Sequence, residues 1–264
     1  MSGWGAIVLA GERPGGGVLA RALNLPAGVL APLAGRPCLE RVLDTLRASA
    51  SISTVTLCGP ARAVVDAVPD LGALVEAPDV TWQAPAAGPA ASALAGIAGQ
   101  PFPLLLTSGD HGLLTPAIVD GFCARAAAVD ADLVVGLVPH AAVAKAFPDS
   151  KRTLLKFADG ARCGSNLFAL LRPDSARALE FWRSVEADRK RPWRIARRLG
   201  VPALIRYLLG RLSADAAFAV LSARAGCVVR WVTVDEPRAA VDVDSEADWR
   251  LADGILAAER EAGG

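Results

Sequence analysis

The chain has 264 residues but only two histidines, His111 and His140, which argues against a zinc centre or a histidine-centred triad. Its five cysteines (Cys38, Cys58, Cys123, Cys163, Cys227) are odd in number, scattered and never spaced as C-x-x-C. That pattern argues against a disulfide framework or a metal cluster and predicts buried free thiols. There is no run of about 18 uncharged apolar residues, so no spanning helix is expected. No basic segment precedes the first apolar run, which is too short for a secretory signal, and a cytoplasmic location is the expectation. The formal net charge is only +1 and no nucleic-acid motif is present, so a nucleic-acid partner is not expected.

What is present is apolar and alanine-rich, with 53% hydrophobic residues. A chain of this size can bury roughly 75% of its unfolded surface without staples. We expect a single domain over 1–264, with a basic helical insertion at about 173–226. Short apolar runs alternate with helix-length amphipathic stretches. Strands are expected at Ala6–Ala10, Thr54–Cys58, Pro103–Thr107 and Asp132–Val138, with weaker candidates at Leu74–Glu76 and Val80–Trp82. Helices are expected at Pro37–Ala48, Ala61–Val68, Ala90–Ala98 and Pro116–Ala127. Further on, Thr153–Phe157, Asn166–Leu171 and Cys227–Val234 read as strands and Ala239–Val243 as a short extended piece. Glu246–Glu261 reads as a closing helix with Ser245 as its N-cap. This alternation implies an α/β fold, a mainly parallel (mixed) sheet with helices on both faces.

The first strand runs directly into Ala10-Gly11-Glu12-Arg13-Pro14-Gly15-Gly16-Gly17. Glycines at the end of a buried strand let backbone N–H groups approach a phosphate. In open α/β sheets ligands sit beyond the carboxyl ends of the strands. Asp110 follows the third main strand, and Asp242 and Asp244 lie near the last extended piece. Carboxylates beside a phosphate-binding loop suit one Mg²⁺, which prefers one or two carboxylates plus phosphate oxygens and water.

Three segments carry a family resemblance. "AIVLAG" followed by "LAPLAGRPCLERVLDTL", then "PFPLLLTSGDHGLLTPAIVDGF", then "AAVDVDSEADWRLA" occur in the order found in MobA-like NTP transferases, a nucleotidyltransferase family of GT-A-type fold, which the chain resembles over nearly its whole length. The resemblance implies that the backbone of Ala10, Gly11, Glu12, Gly15 and Gly16 cradles a triphosphate. It puts Gly88 and Ser92 at the nucleobase, Asp110 and Asp244 on Mg²⁺ with Asp242 as the alternative ligand, and Asn166 at the acceptor. Lys151 and Arg152 would grip the acceptor phosphate. The activity implied is transfer of a nucleoside monophosphate from an NTP, CTP or GTP, to a small phosphorylated acceptor, with release of pyrophosphate.

The chain departs from the family pattern in its first loop. Glu12 stands at the second glycine, the arginine position falls near Gly16, and the lysine position falls at Gly28. Losing one charge-assisted contact to a triphosphate removes about 1.5–3 kcal/mol. Arg13, Arg21, Lys151 or Arg152 would have to substitute. Gly112, where the family has proline, is a milder departure. Two other readings remain open at this point: a GT-A-type glycosyltransferase, for which Asp242-Val243-Asp244 spells D-x-D late in the chain, and a degenerate nucleotide-binding protein without turnover. Finally, Arg189–Leu212 interleaves Arg and Lys with Trp, Ile, Leu and Tyr, a pattern expected of peripheral contact with the inner face of a membrane.

Overall fold

The computed structural model describes residues 3–12, 16–188 and 200–263. Its core is an eight-stranded mixed sheet. Strand β1 (Trp4–Leu9) lies at the centre, paired in parallel with β4 (Ile52–Cys58) on one side and β6 (Leu104–Ser108) on the other. Between them come the small antiparallel hairpin β2 (Pro32–Leu33) and β3 (Arg36–Pro37), and β5 (Val80–Gln83), which extends the sheet beyond β4. On the far side β9 (Gly160–Leu170) runs antiparallel between β6 and β7 (Leu133–Pro139). β8 (Leu155–Phe157) forms a hairpin with β9, and β10 (Val229–Thr233) closes the far edge in parallel with β7.

The strands are apolar on both faces because both faces are covered. Ala6 and Val8 enter one hydrophobic cluster and Ile7 the other; Leu105 joins the first, Leu104 and Leu106 the second. This is the two-residue period of a strand sorting its side chains between two layers. The first layer is closed by helices α2 (Cys38–Ala48), which buries Leu39, Val42, Leu43 and Leu46, and α6 (Pro116–Ala127), which buries Ile118, Val119 and Phe122. Thr115 caps α6, its hydroxyl accepting the Ile118 N–H, and Pro116 occupies the first turn, where no N–H is needed. The second layer uses α5 (Pro89–Ile97), α8 (Ser175–Ala187) and α10 (Ala214–Ala225), which supply Ala93, Ile97, Leu179 and Phe218.

A third, smaller cluster positions the site. Leu19 of α1 (Val18–Ala22), Leu33, Cys38, Leu113, Val241, Val243 and Ala252 of α11 (Glu246–Gly263) pack together. Hydrogen bonds stitch the same seam: Trp249 Nε1 donates to the Pro32 carbonyl at 2.6 Å and Ala34 N–H to Asp253 Oδ1 at 2.6 Å. The C-terminal helix is thus fastened beside the loops that follow β1 and β6. Its start is a reciprocal cap, with Ser245 Oγ accepting the Asp248 N–H at 3.3 Å and Asp248 Oδ2 accepting the Ser245 N–H at 3.2 Å.

The structure corrects four local expectations. Leu74 and Val75 do not form a strand: they end helix α4 (Pro69–Val75), which follows α3 (Arg62–Ala67) and buries Leu71 and Val75 one helical turn apart. Ala239 and Ala240 belong to a 3₁₀ turn (Pro237–Ala240), so only the residues after it are extended. The strand expected at Asn166–Leu171 begins earlier, at Gly160. Helix α7 (His140–Ala146) has no counterpart among the expected helices, and it buries only Val143. The basic block from Pro173 to Ala225 contains α8, α9 (Val201–Leu208) and α10, while Arg189–Leu199 lies outside the described residues. All five cysteines are buried free thiols.

Candidate active site

The carboxyl ends of β1, β4 and β6 lie side by side, with Leu9 opposite both Cys58 and Ser108. Beyond that edge the Gly109 N–H donates to the Leu9 carbonyl at 2.8 Å. A Cβ on Gly109 would lie 3.1 Å from the Ala10 Cβ, so glycine here lets the β6 turn close against the β1 loop. Asp110 comes next. Its main-chain carbonyl accepts the Val243 N–H at 3.0 Å, which docks the late acidic segment on the β6 turn. In that segment Val241 and Val243 are buried in the third cluster, and the intervening Asp242 and Asp244 project to the other side. Acids more than a hundred residues apart in sequence therefore meet beside the first loop.

Asp110 is half-buried, and Ser108 Oγ donates to its Oδ1 at 2.5 Å. Burial, then repulsion from Asp244 and Asp242, raises its carboxyl pKa to about 7, against the hydroxyl contact, which lowers it. A carboxylate whose ionised form is disfavoured by burial and by acidic neighbours is relieved by a cation. Asp242 is already engaged: Oδ1 accepts from Arg152 Nη1 at 2.7 Å and Oδ2 from Asn166 Nδ2 at 3.4 Å. Asp244 lines the adjoining cleft and is more exposed. Among the described residues, no group of three His, Cys, Asp or Glu side chains forms a ready metal cluster. Two carboxylates with room for other oxygens are the set that Mg²⁺ uses when phosphate and water complete its shell. Asp110, Asp242 and Asp244 supply carboxylates of that kind, and Asp242 is also held by Arg152 and Asn166.

The cleft beside these acids has a volume of about 390 Å³ and is lined by Lys151, Arg152, Asn166, Asp242, Asp244 and Asp248, among others. Asn166 sits on β9 with a left-handed backbone (φ +51°), an uncommon state for a non-glycine residue. Lys151 is exposed at the rim. Arg152 is different: its side chain is only 7% exposed, and it is paired with Asp242, Asp248 and the Ser150 hydroxyl. It ties the loop before β8 to the acidic segment and to the start of α11. Asp248 and Ser108 are site residues that the motifs did not single out. A signal for Asp248 is present in the sequence, as the acid three residues after Ser245 in a capping pattern.

The first loop shows how its unusual residues are accommodated. Glu12 Oε2 accepts the Gly28 N–H at 2.6 Å, at the start of a 3₁₀ turn (Gly28–Leu30). The acid at the family's second glycine thus bonds the residue at the family's lysine position. Arg21 Nη1 donates to the Gly16 carbonyl at 2.5 Å. Arg13 and Gly15 lie outside the described residues. Ala10 is buried and Gly11 exposed, with Pro85 close enough that a Cβ on Gly11 would sit 3.1 Å from the Pro85 Cβ. The segment expected at the nucleobase therefore flanks the loop. There Ser92 is buried, its hydroxyl accepting the Ala86 N–H at 2.9 Å, and the Glu186 carboxylate of α8 lies against Gly88 and accepts the Ala90 N–H at 3.4 Å. That carboxylate occupies the N-terminus of α5, so an anionic group is not expected to bind there.

The mixed, mostly parallel sheet thus carries the start of the first loop and the acids Asp110, Asp242 and Asp244 beyond the carboxyl ends of its central strands. Residues 27–191 match the MobA-like NTP transferase domain, and the chain belongs to that family. It is similar to a hypothetical transferase from Thermus thermophilus, with 31% identity and a TM-score of 0.79, covering 94% of this chain and 100% of that one. It shares its fold with a CMP:2-keto-3-deoxy-manno-octonic acid synthetase solved with CTP (13% identity, TM-score 0.59, 98% and 100% covered). The same holds for 4-diphosphocytidyl-2C-methyl-D-erythritol synthase from Anaerococcus prevotii (12% identity, TM-score 0.56, 97% and 96% covered). No curated protein matches the chain. Among the described residues no helix is long and apolar enough to cross a membrane.

Proposed function

We propose that this nucleotidyltransferase joins a nucleoside monophosphate, from CTP or GTP, to a small phosphorylated acceptor and releases pyrophosphate. The observation that supports the reading is the contact series from Ala10 through Gly109 and Asp110 to Val243, whose neighbours Asp242 and Asp244 line the cleft. The backbone of Ala10, Gly11, Glu12, Gly15 and Gly16 would hold the triphosphate, and Gly88 and Ser92 would shape the base pocket. Asp110 and Asp244 would hold Mg²⁺, which when bound neutralises charge on the triphosphate and the departing pyrophosphate.

The acceptor phosphate would lie in the cleft, with Lys151 at its rim and Asn166 at its floor. A phosphate oxygen attacks the α-phosphorus in line as the bond to the β-phosphate oxygen breaks. The attacking monoester is already anionic near neutral pH, so no general base is required. The protein's work is positioning and charge compensation. Arg152 is committed to Asp242 and Asp248, and its part in this reading is to fix the acidic segment. With an acid rather than a cation beside Gly28, the loop is expected to hold triphosphate less tightly than a lysine-bearing loop. Incubation with Mg²⁺, CTP or GTP and a panel of phosphorylated acceptors should release pyrophosphate. Release of a nucleoside diphosphate from a sugar nucleotide, with no pyrophosphate from any NTP, would instead make the protein a glycosyltransferase.

A further inference from the structure

Helix α9 is short and apolar, yet none of its residues is buried. Val201, Ile205, Leu208 and the following Leu209 are 55%, 50%, 73% and 63% exposed, which makes them four of the six large hydrophobic side chains exposed among the described residues. Their spacing of i, i+4, i+7 and i+8 places them in one stripe along the helix. Monomeric soluble proteins seldom leave such a contiguous apolar face in water without a use for it. The other side of α9 is anchored. Tyr207 Oη accepts the Lys156 N–H at 3.1 Å, the Tyr207 ring meets Phe157 edge-on, and the Leu212 carbonyl accepts the Ala158 N–H at 2.9 Å. The helix therefore rests on the β8–β9 hairpin, whose Leu155 lines the cleft.

The surrounding charge identifies the occupant. Arg206 and Arg211 are exposed at the flanks of the stripe, and the sequence from Gly200 to Ser213 has no acid. Two copies meeting face to face would oppose arginine to arginine. An anionic lipid surface complements both properties, taking apolar side chains into the headgroup–acyl boundary and cationic ones among the headgroups. We propose that the outer face of α9 docks on an anionic bilayer, seating the cleft within about one helix diameter, roughly 10 Å, of the headgroup layer. This inference does not depend on the nucleotidyl-transfer chemistry.

The test is co-sedimentation of the whole protein with vesicles of phosphatidylcholine alone, or of phosphatidylcholine with one-third phosphatidylglycerol. The wild type should bind the anionic vesicles about tenfold or more tightly, and added salt should weaken that binding. Ile205→Ser with Leu208→Ser, and separately Arg206→Ser with Arg211→Ser, should each reduce it about tenfold while leaving the melting temperature and the nucleotide-induced thermal shift unchanged. The proposal is overturned by a wild type that does not sediment with anionic vesicles, or by variants that sediment as it does. It is also overturned by a wild-type dimer that the Ile205→Ser/Leu208→Ser variant converts to monomers without any vesicle binding, which would give the face to a second copy.

Discussion

Replacing Asp110 by asparagine should stabilise the metal-free protein and at the same time remove its response to Mg²⁺. In the fold the Asp110 carboxyl has its pKa raised from 3.8 to about 7, first by burial and then by Asp244 and Asp242. The native state therefore holds this proton more tightly than the unfolded chain does. The sign follows from linkage: the stabilisation is fully present below pH 3.8 and is lost as pH rises through about 7. Above that, the charged group is a net burden. Each tenfold change in proton affinity corresponds to about 1.4 kcal/mol, and because Asp110 is only half-buried and solvent screens part of the effect, a burden of roughly 1–3 kcal/mol is expected at pH 8. For a chain of this size that is roughly 2–10 °C in Tm. The asparagine amide oxygen can still accept the Ser108 hydroxyl. In chelator, thermal melts of Asp110→Asn should exceed those of the wild type most at pH 8 and by less at pH 5, and the two should converge only below about pH 4. Mg²⁺ with CTP or GTP should raise the wild-type Tm at pH 8 and leave the variant unmoved. An equal or lower Tm for the variant at pH 8, or an offset that does not shrink from pH 8 to pH 5, would refute the claim that burial and neighbouring acids raise the pKa of this carboxyl.

Arg152→Met leaves Asp242 and Asp248 without their shared cation and should cost on the order of 3 kcal/mol in urea unfolding, whereas a loss under about 1 kcal/mol would mean the network is not structural. Glu12→Gly combined with Gly28→Lys rebuilds the family's loop pair. Isothermal titration should show tighter NTP binding, while Gly28→Lys alone should gain less because Glu12 pairs with the new cation; equal gains would disprove the coupling seen at Gly28. At Gly112 an added Cβ would come within 2.3 Å of Leu33 Cδ1 and 2.7 Å of Cys38 Sγ, so Gly112→Ala should lose about 1–3 kcal/mol by overpacking; a neutral result would show that the hairpin yields freely.

The parts of the fold that are legible in the sequence are those with one dominant period. β1, β6 and β7 carry continuous apolar runs, β4 is rich in β-branched residues, and α2 places five buried residues at helical spacing. What escapes are elements with few buried residues to mark them. Helix α4 buries two and α7 one, so the short stretch Leu74–Glu76 at the end of the first reads as a strand and the second carries no periodic signal. The start of β9 is hidden because Gly160–Ser165 contains glycines and an arginine, and its extension is fixed by pairing with β8 and β7 rather than by its own propensity. In the site, the order of the motifs brings forward Asp110, Asp242 and Asp244. The engagement of Asp242 by Arg152 and Asn166 is a tertiary arrangement that no local pattern reveals. Glu12 resembles a defect in a phosphate loop until its hydrogen bond to Gly28 shows the two departures to be one local adjustment.

The most direct measurement is electron paramagnetic resonance of Mn²⁺ substituted for Mg²⁺ and titrated with CTP or GTP. One Mn²⁺ should bind per chain only when nucleotide is present, with phosphorus couplings from the triphosphate, and both Asp110→Asn and Asp244→Asn should abolish it. Nucleotide-dependent Mn²⁺ binding that survives in both variants would contradict the assignment of these two acids to a shared metal.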